Sequence, residues 1–176
     1  MVTGRRQTGR LLEKLLSDVG PVEMGFRMQA VAAHVLLGQG NRIIAVNNSG
    51  HPDIIASSEN VIIRVEVEAD IRGTGEHLPK EADLEALKPL APTDKGYFAI
   101  LVCSPFPKWI VVDSSKFTGR RYKLSLSLLD VLCNKTQTNE WNDLFLKFID
   151  AQGEHLGDYS FQWLSQKALE QSCLIF

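Results

Sequence analysis

The sequence predicts an α/β fold in one domain, a mixed central β-sheet flanked by helices. Three observations carry this. A helical apolar pattern is followed by three short strand-like runs in succession. A later run, Tyr97 to Cys103, is almost uniformly apolar, as a strand covered on both faces must be. Helical patterns then close the chain, and 176 residues suffice for one well-buried domain.

Each element has its own signal. Leu11, Leu12, Leu15, Leu16 and Val19 recur with helical spacing, which places an N-terminal helix at about 5–19, ended by Gly20-Pro21. A second helix runs from about Val22 to Leu37, packs Met24, Phe26, Met28, Val31 and Val35 inward, and stops at Gly38 and Gly40. Strands follow at 41–46, 53–56 and 61–71, separated by turns at Asn47-Asn48-Ser49-Gly50 and 57–60. A polar connection, Arg72 to Lys80, leads to a short helix at about 81–87. Tyr97 to Cys103 is expected to be a central strand and Trp109 to Asp113 the next one. C-terminal helices fall near 123–132, 139–151 and 161–169. The core of the domain is thus about residues 21–113, with the C-terminal helices spanning about 122–170.

Composition bounds the function. Apolar residues make up 44% and charged residues 23%, ordinary for a globular domain, and the net charge of −2 gives no global signal for nucleic acid. Binding to DNA therefore has to rest on local basic clusters: Arg5, Arg6 and Arg10 at one end of the chain, Arg120, Arg121 and Lys123 further on. The three cysteines, Cys103, Cys133 and Cys173, are scattered without a CxxC pair and read as buried free thiols of a reducing compartment. No apolar run has the length of a membrane span and no apolar leader is visible, so the expected setting is intracellular, with no membrane partner.

The chemistry concentrates in Gly50-His51-Pro52-Asp53-Ile54-Ile55-Ala56 and Val61-Ile62-Ile63-Arg64-Val65-Glu66-Val67-Glu68-Ala69-Asp70. Side chains alternate along a strand, so Glu66, Glu68 and Asp70 share one face while Val65, Val67 and Ala69 line the other. If the two runs pair as neighbours, Asp53 and Glu66 converge, with carboxylates expected within about 4–6 Å of each other. Converging carboxylates raise each other's pKa unless a cation lies between them, and oxygen ligands favour a hard ion such as Mg²⁺. The competing reading is that Arg64, Glu66, Glu68 and Asp70 form the solvated face of an edge strand.

Pro52-Asp53 and Glu66-Val67-Glu68 resemble the PD-(D/E)XK nuclease superfamily, with glutamate at the position of the usual lysine. The order of helix, three-strand meander, helix and strand agrees. The resemblance, over roughly residues 21–113, implies a restriction-endonuclease-like fold and a Mg²⁺- (or Mn²⁺-) dependent endonuclease acting on DNA, often as a homodimer. It also implies that Asp53 and Glu66 hold the metal together with the carbonyl of Val67. Glu68 then orients or deprotonates the attacking water in place of lysine. In several members an acid from the helix before the sheet reaches the metal, which points to Glu23 and, more weakly, Glu13. Acids in a first helical turn also complement the macrodipole. The alternative function is a catalytically inactive binding or assembly module on the same fold.

Other candidates are weaker. His51 and His77 are placed to assist proton transfer or meet a phosphate. Ser57-Ser58 lacks a nucleophile-elbow context, and Cys103 lies in an apolar run where thiols are inert. Gly73-Thr74-Gly75 lacks the lysine and hydroxyl residue of a phosphate-binding loop.

Overall fold

Among the described residues the predicted helices and strands appear in the predicted order, and two two-residue strands, Glu76–His77 and Leu124–Ser125, come in addition. The computed structural model describes residues 2–70, 76–77, 79–103, 106–117 and 124–174. Helix α1 (Val2–Val19) and helix α2 (Pro21–Gly38) come first, with Pro21 opening the second helix, where its missing N–H costs nothing. Strands β1 (Arg42–Val46), β2 (Ile54–Ser58) and β3 (Val61–Asp70) form an antiparallel meander. Then come β4 (Glu76–His77), helix α3 (Glu81–Ala86), β5 (Lys95–Val102), β6 (Lys108–Asp113) and β7 (Leu124–Ser125). Helices α4 (Leu126–Leu132), α5 (Lys135–Gln152) and α6 (Phe161–Ser172) complete the chain. Ser125, Asn134 and Ser160 cap these three helices, each accepting a backbone N–H from three residues on.

The main sheet is mixed, in the order β1-β2-β3-β5-β6, with β3 and β5 parallel and the other pairs antiparallel. Pairing in parallel requires a crossover, and the segment that carries α3 provides it. Strand β5 is buried from Gly96 to Val102, and its alternate residues enter two different cores. Tyr97, Ala99 and Leu101 join a large core with Val65, Trp109, Val111 and apolar faces of α1, α2, α5 and α6. Phe98, Ile100 and Val102 join a smaller one with Ile110, Val112, Leu87 and Leu129. This two-sided burial is what the uniform apolarity of the run requires, each fully buried large side chain contributing about 1.5–3 kcal/mol.

Both outer edges of the sheet are closed by helix side chains. At β1, the Ile43 N–H donates to Ser172 Oγ (2.8 Å), whose hydroxyl donates to Ala168 O. At β6, Asn142 of α5 acts as a substitute strand: its Oδ1 accepts from Trp109 N–H (2.8 Å) and its Nδ2 donates to Trp109 O (2.9 Å). Thr138 Oγ1 accepts the next outward N–H, that of Val111 (3.0 Å). Backbone edges that would pair with another chain are thereby consumed. A register shift between Ile43 and Ala45 leaves Ile44 exposed.

Two expectations are corrected. The charged alternation in β3 is not the wet face of an edge strand, because β3 is the middle strand and Glu66 and Asp70 are 4% and 5% exposed. The cysteines are free but not fully buried: Cys103 and Cys133 are half-buried and Cys173 is exposed. No helix among the described residues is long and apolar enough to cross a membrane.

Gly96 marks the tightest backbone approach. A Cβ there would meet Leu87 O at 2.1 Å and Ser114 Oγ at 2.5 Å. Gly96→Ala is therefore expected to destabilise the fold at or beyond the top of the usual overpacking range, about 1–3 kcal/mol. Thermal or urea unfolding reads this directly, and a variant as stable as the wild type would mean that the Leu87 segment moves away without cost.

Candidate metal centre

The site begins just before the first residue of β2, where β3 runs on without it. Ile54 faces Val65 in the antiparallel register, so Asp53, one residue before the strand, stands opposite Glu66. No β2 residue pairs with β3 beyond Val65. In place of a backbone carbonyl, Asp53 Oδ2 accepts the N–H of Val67 (2.8 Å). Gln29 of α2 donates Nε2–H to Asp53 Oδ1 (3.0 Å), so both carboxylate oxygens are fixed. The N–H and C=O of one strand residue point to the same side, and the Val67 carbonyl therefore faces this edge too.

Glu66 is buried opposite Asp53, close enough for the two carboxyls to perturb each other. Burial drives the Glu66 pKa up to about 9, reinforced by the charges of Asp53 and Asp83 and opposed by Lys80. Burial also raises Asp53, against the Val67 N–H, the Glu66 hydrogen bond and the His51 charge. Two acids in one desolvated space cannot both ionise without a compensating charge.

Two further residues complete the cluster. His51 Nδ1 lies 2.9 Å from Glu66 Oε1 and 3.4 Å from Asp83 Oδ1, and the three ligand atoms are all within 4.8 Å of one another. Asp83 Oδ2 accepts the Lys80 N–H at the start of α3 (2.9 Å), which turns Oδ1 toward the cluster. Among the described residues, Asp83 Oδ1 and Gln29 Oε1 are buried without a hydrogen-bond donor. His51 Nδ1 lies nearer Glu66 than Asp83, and one ring nitrogen cannot satisfy both oxygens. A buried set of acceptors this short of donors fits a cation by its own chemistry.

The remaining candidates are spread out. Glu68 lies half-buried on the Glu66 face, beside Ile100 of β5. Asp70 is buried at the end of that face, near Cys103, whose thiol burial and the Asp70 charge push up to about 11. Glu23 is not brought to the cluster. It accepts from Arg27 Nε (2.9 Å), while Arg27 Nη1 donates to Leu156 O and Gly157 O, so the pair fastens α2 to the turn before α6. Gln29 lies six residues further, about a third of a turn around the helix, and is the α2 residue that reaches Asp53. Glu13, Arg6 and Arg10 are exposed on α1, and Arg5 is half-buried there. His77 lies in β4, whereas Gly73-Thr74-Gly75, Arg120, Arg121 and Lys123 lie outside the described residues.

Sequence reasoning passed over Asp83 and Gln29. Both sit in ordinary helical contexts, far along the chain from Glu66, and no local pattern marks them. No protein-family model matches the chain, and no curated protein is significantly similar to it in sequence.

The raised Glu66 pKa has a signed consequence. Between its ordinary value of 4.5 and about 9, folded Glu66 keeps a proton that the unfolded chain releases. The folded state binds more protons, so stability falls as pH rises through that window. Chelator-treated wild type is expected to melt at progressively lower temperature across it. Glu66→Gln, neutral at every pH, should flatten this dependence and melt higher than wild type at pH 8. Parallel curves for the two proteins would count against the buried acid pair.

Proposed function

We propose that this chain is a metal-dependent nuclease that hydrolyses DNA phosphodiester bonds, with Asp53, Glu66 and the Val67 carbonyl holding Mg²⁺ or Mn²⁺, on the fold of the PD-(D/E)XK superfamily. The observation that carries this reading is the register that sets Asp53 opposite Glu66 just before β2, in a buried space rich in acceptors. A divalent ion bound there would stabilise charge on the phosphate and make water a stronger nucleophile. The residues do the rest. Gln29 and the Val67 N–H hold Asp53 in one orientation before substrate arrives, and such preorganisation is what an electrostatic catalyst needs. Glu68, one step along the same face, is placed to accept a proton from the attacking water. Exposed Arg6 and Arg10 on α1 offer phosphate contacts, and a homodimer would let each subunit cut one strand.

A second reading, an inactive binding or assembly module, is favoured by one specific observation. Residue 68 is glutamate, so the motif position adds a negative charge where the superfamily usually has an ammonium.

Asp53→Asn separates the two. It is expected to lower divalent-dependent cleavage of duplex DNA by about 100-fold or more with the fold intact by circular dichroism. Glu68→Lys, which restores the usual residue, is expected to keep part of the cleavage, since orienting water needs only a polar end at that place. Complete silence of Glu68→Lys would assign Glu68 to cation binding instead. A wild-type protein that binds no divalent ion and cuts no nucleic acid favours the binding module.

A further inference from the structure

We infer that the cation position is a mixed nitrogen–oxygen centre, in which His51 and Asp83 join Glu66 as ligands, and that it takes a transition ion such as Mn²⁺ or Co²⁺ in preference to Mg²⁺. This deepens the metal centre proposed above and rests on the reading that these acids hold a cation, but it does not depend on DNA cleavage.

Two of the three separations match ligands around one ion, and the third lies within 4.8 Å. Two ligand atoms about 2.1 Å from a metal and 90–109° apart lie about 3.0–3.4 Å from each other. His51 Nδ1 is 2.9 Å from Glu66 Oε1 and 3.4 Å from Asp83 Oδ1. The three ligands come from three separate pieces of the fold: the turn before β2, the middle of β3 and the first turn of α3. Asp83 is aimed by a contact outside the trio, the Lys80 N–H that occupies its Oδ2. Asp53, which stands opposite Glu66 and two residues after His51, has its oxygens anchored on α2 and β3. Outer contacts of this kind orient ligands in metal sites generally.

The hydrogen bonding of Asp83 points the same way. Asp83 Oδ1 is buried and has no hydrogen-bond donor among the described residues, although it faces the cluster. Leaving such an oxygen unpaired costs free energy that a bound cation removes. The His51 side chain is 37% exposed, so the centre is open on one side to water or a phosphate oxygen.

Ligand type then decides the metal. Mg²⁺ demands oxygen ligands and gives up its waters reluctantly, whereas an imidazole nitrogen suits first-row transition ions. An all-oxygen pair would bind Mg²⁺ well. Adding an imidazole within 3 Å of Glu66 shifts the preference toward the transition series.

The test is metal binding by the intact chain without nucleic acid. Mn²⁺, Co²⁺ and Mg²⁺ are titrated calorimetrically into chelator-treated protein. Visible absorption of the Co²⁺ form and pulsed electron paramagnetic resonance of the Mn²⁺ form report nitrogen bound directly to the ion. The expected result is one site with Mn²⁺ and Co²⁺ bound at least about tenfold more tightly than Mg²⁺, with nitrogen coupling in the Mn²⁺ spectrum. His51→Ala should abolish that coupling and weaken Mn²⁺ by more than the roughly 10–100-fold typical of losing an outer-shell partner, leaving Mg²⁺ little changed. Asp83→Asn should weaken all three ions while preserving the nitrogen coupling. Melting curves of both variants check that they fold.

Failure separates cleanly from failure of the nuclease reading. Binding without preference or nitrogen coupling, lost in Asp53→Asn but not in His51→Ala, overturns the mixed centre and keeps an oxygen-only metal site. Absence of any divalent binding overturns both.

Discussion

The Asp53 carboxylate takes the place of a missing strand. At Val65 the β2–β3 ladder ends, yet β3 runs on to Asp70 against β5 alone, and its next N–H toward β2, that of Val67, would go unpaired. Asp53 Oδ2 accepts it, and the same stroke brings the Asp53 carboxylate beside Glu66 and within reach of Gln29. A backbone requirement thus fixes the position of a functional group. The site is as rigid as the central sheet, which is where precise chemistry is best placed.

The two faces of the sheet explain why an acidic site survives there. One face is covered by four helices and carries the larger core, with Trp109 and Trp141 packed edge to face at a centroid distance of 5.5 Å. The other is covered over β5 and β6 by a smaller cluster around Leu87 and Leu129, and the β3 column on that face is polar. Arg64, at the far end of this column, pairs with Asp94 at 3.0 Å, and Asp94 also accepts the N–H groups of Leu90 and Ala91. The polar column therefore divides its work. Its beginning fastens the connection before β5, and its middle forms the cluster with His51 and Asp83.

Electrostatically the cluster is costly in the metal-free chain. Asp53, Glu66 and Asp83 converge in a desolvated space that pushes the Glu66 pKa up to about 9, and His51 Nδ1 lies 2.9 Å from Glu66 Oε1. Among the described residues, Asp83 Oδ1 and Gln29 Oε1 are buried without a donor here, and Trp109 Nε1 and Ser165 Oγ are buried without a partner elsewhere in the core. What sets the cluster apart is a strongly perturbed acid beside specific charge partners, a common mark of a functional site.

The fold was largely legible in the sequence because its signals are local. Periodicity located α2 to within a residue or so at either end, the turn chemistry of 47–50 separated β1 from β2, and the apolar run at 97–103 announced burial on both faces. The turn expected at 57–60 is shorter, because Ser57 and Ser58 continue β2 in register with Ile62 and Val61. Alternation put Glu66, Glu68 and Asp70 on one face, and Pro52-Asp53 singled out the acid opposite them. The competing reading, a solvated edge face, fails because β3 is the middle strand, and alternation alone cannot tell an edge strand from a middle strand flanked by a polar cluster. Glu23 was legible as a helix-start acid, but its partner Arg27 and the turn it anchors were not. Asp83, Gln29 and the Nδ1 contact of His51 were decided only by tertiary structure. Their roles depend on how α3 and α2 dock on β3, and docking is set by the summed packing of distant side chains. The sequence by itself determined which residues form strands and which acids can meet. Only the packed chain decided which acceptors are buried together, because burial and charge coupling act through space and leave no trace in local order.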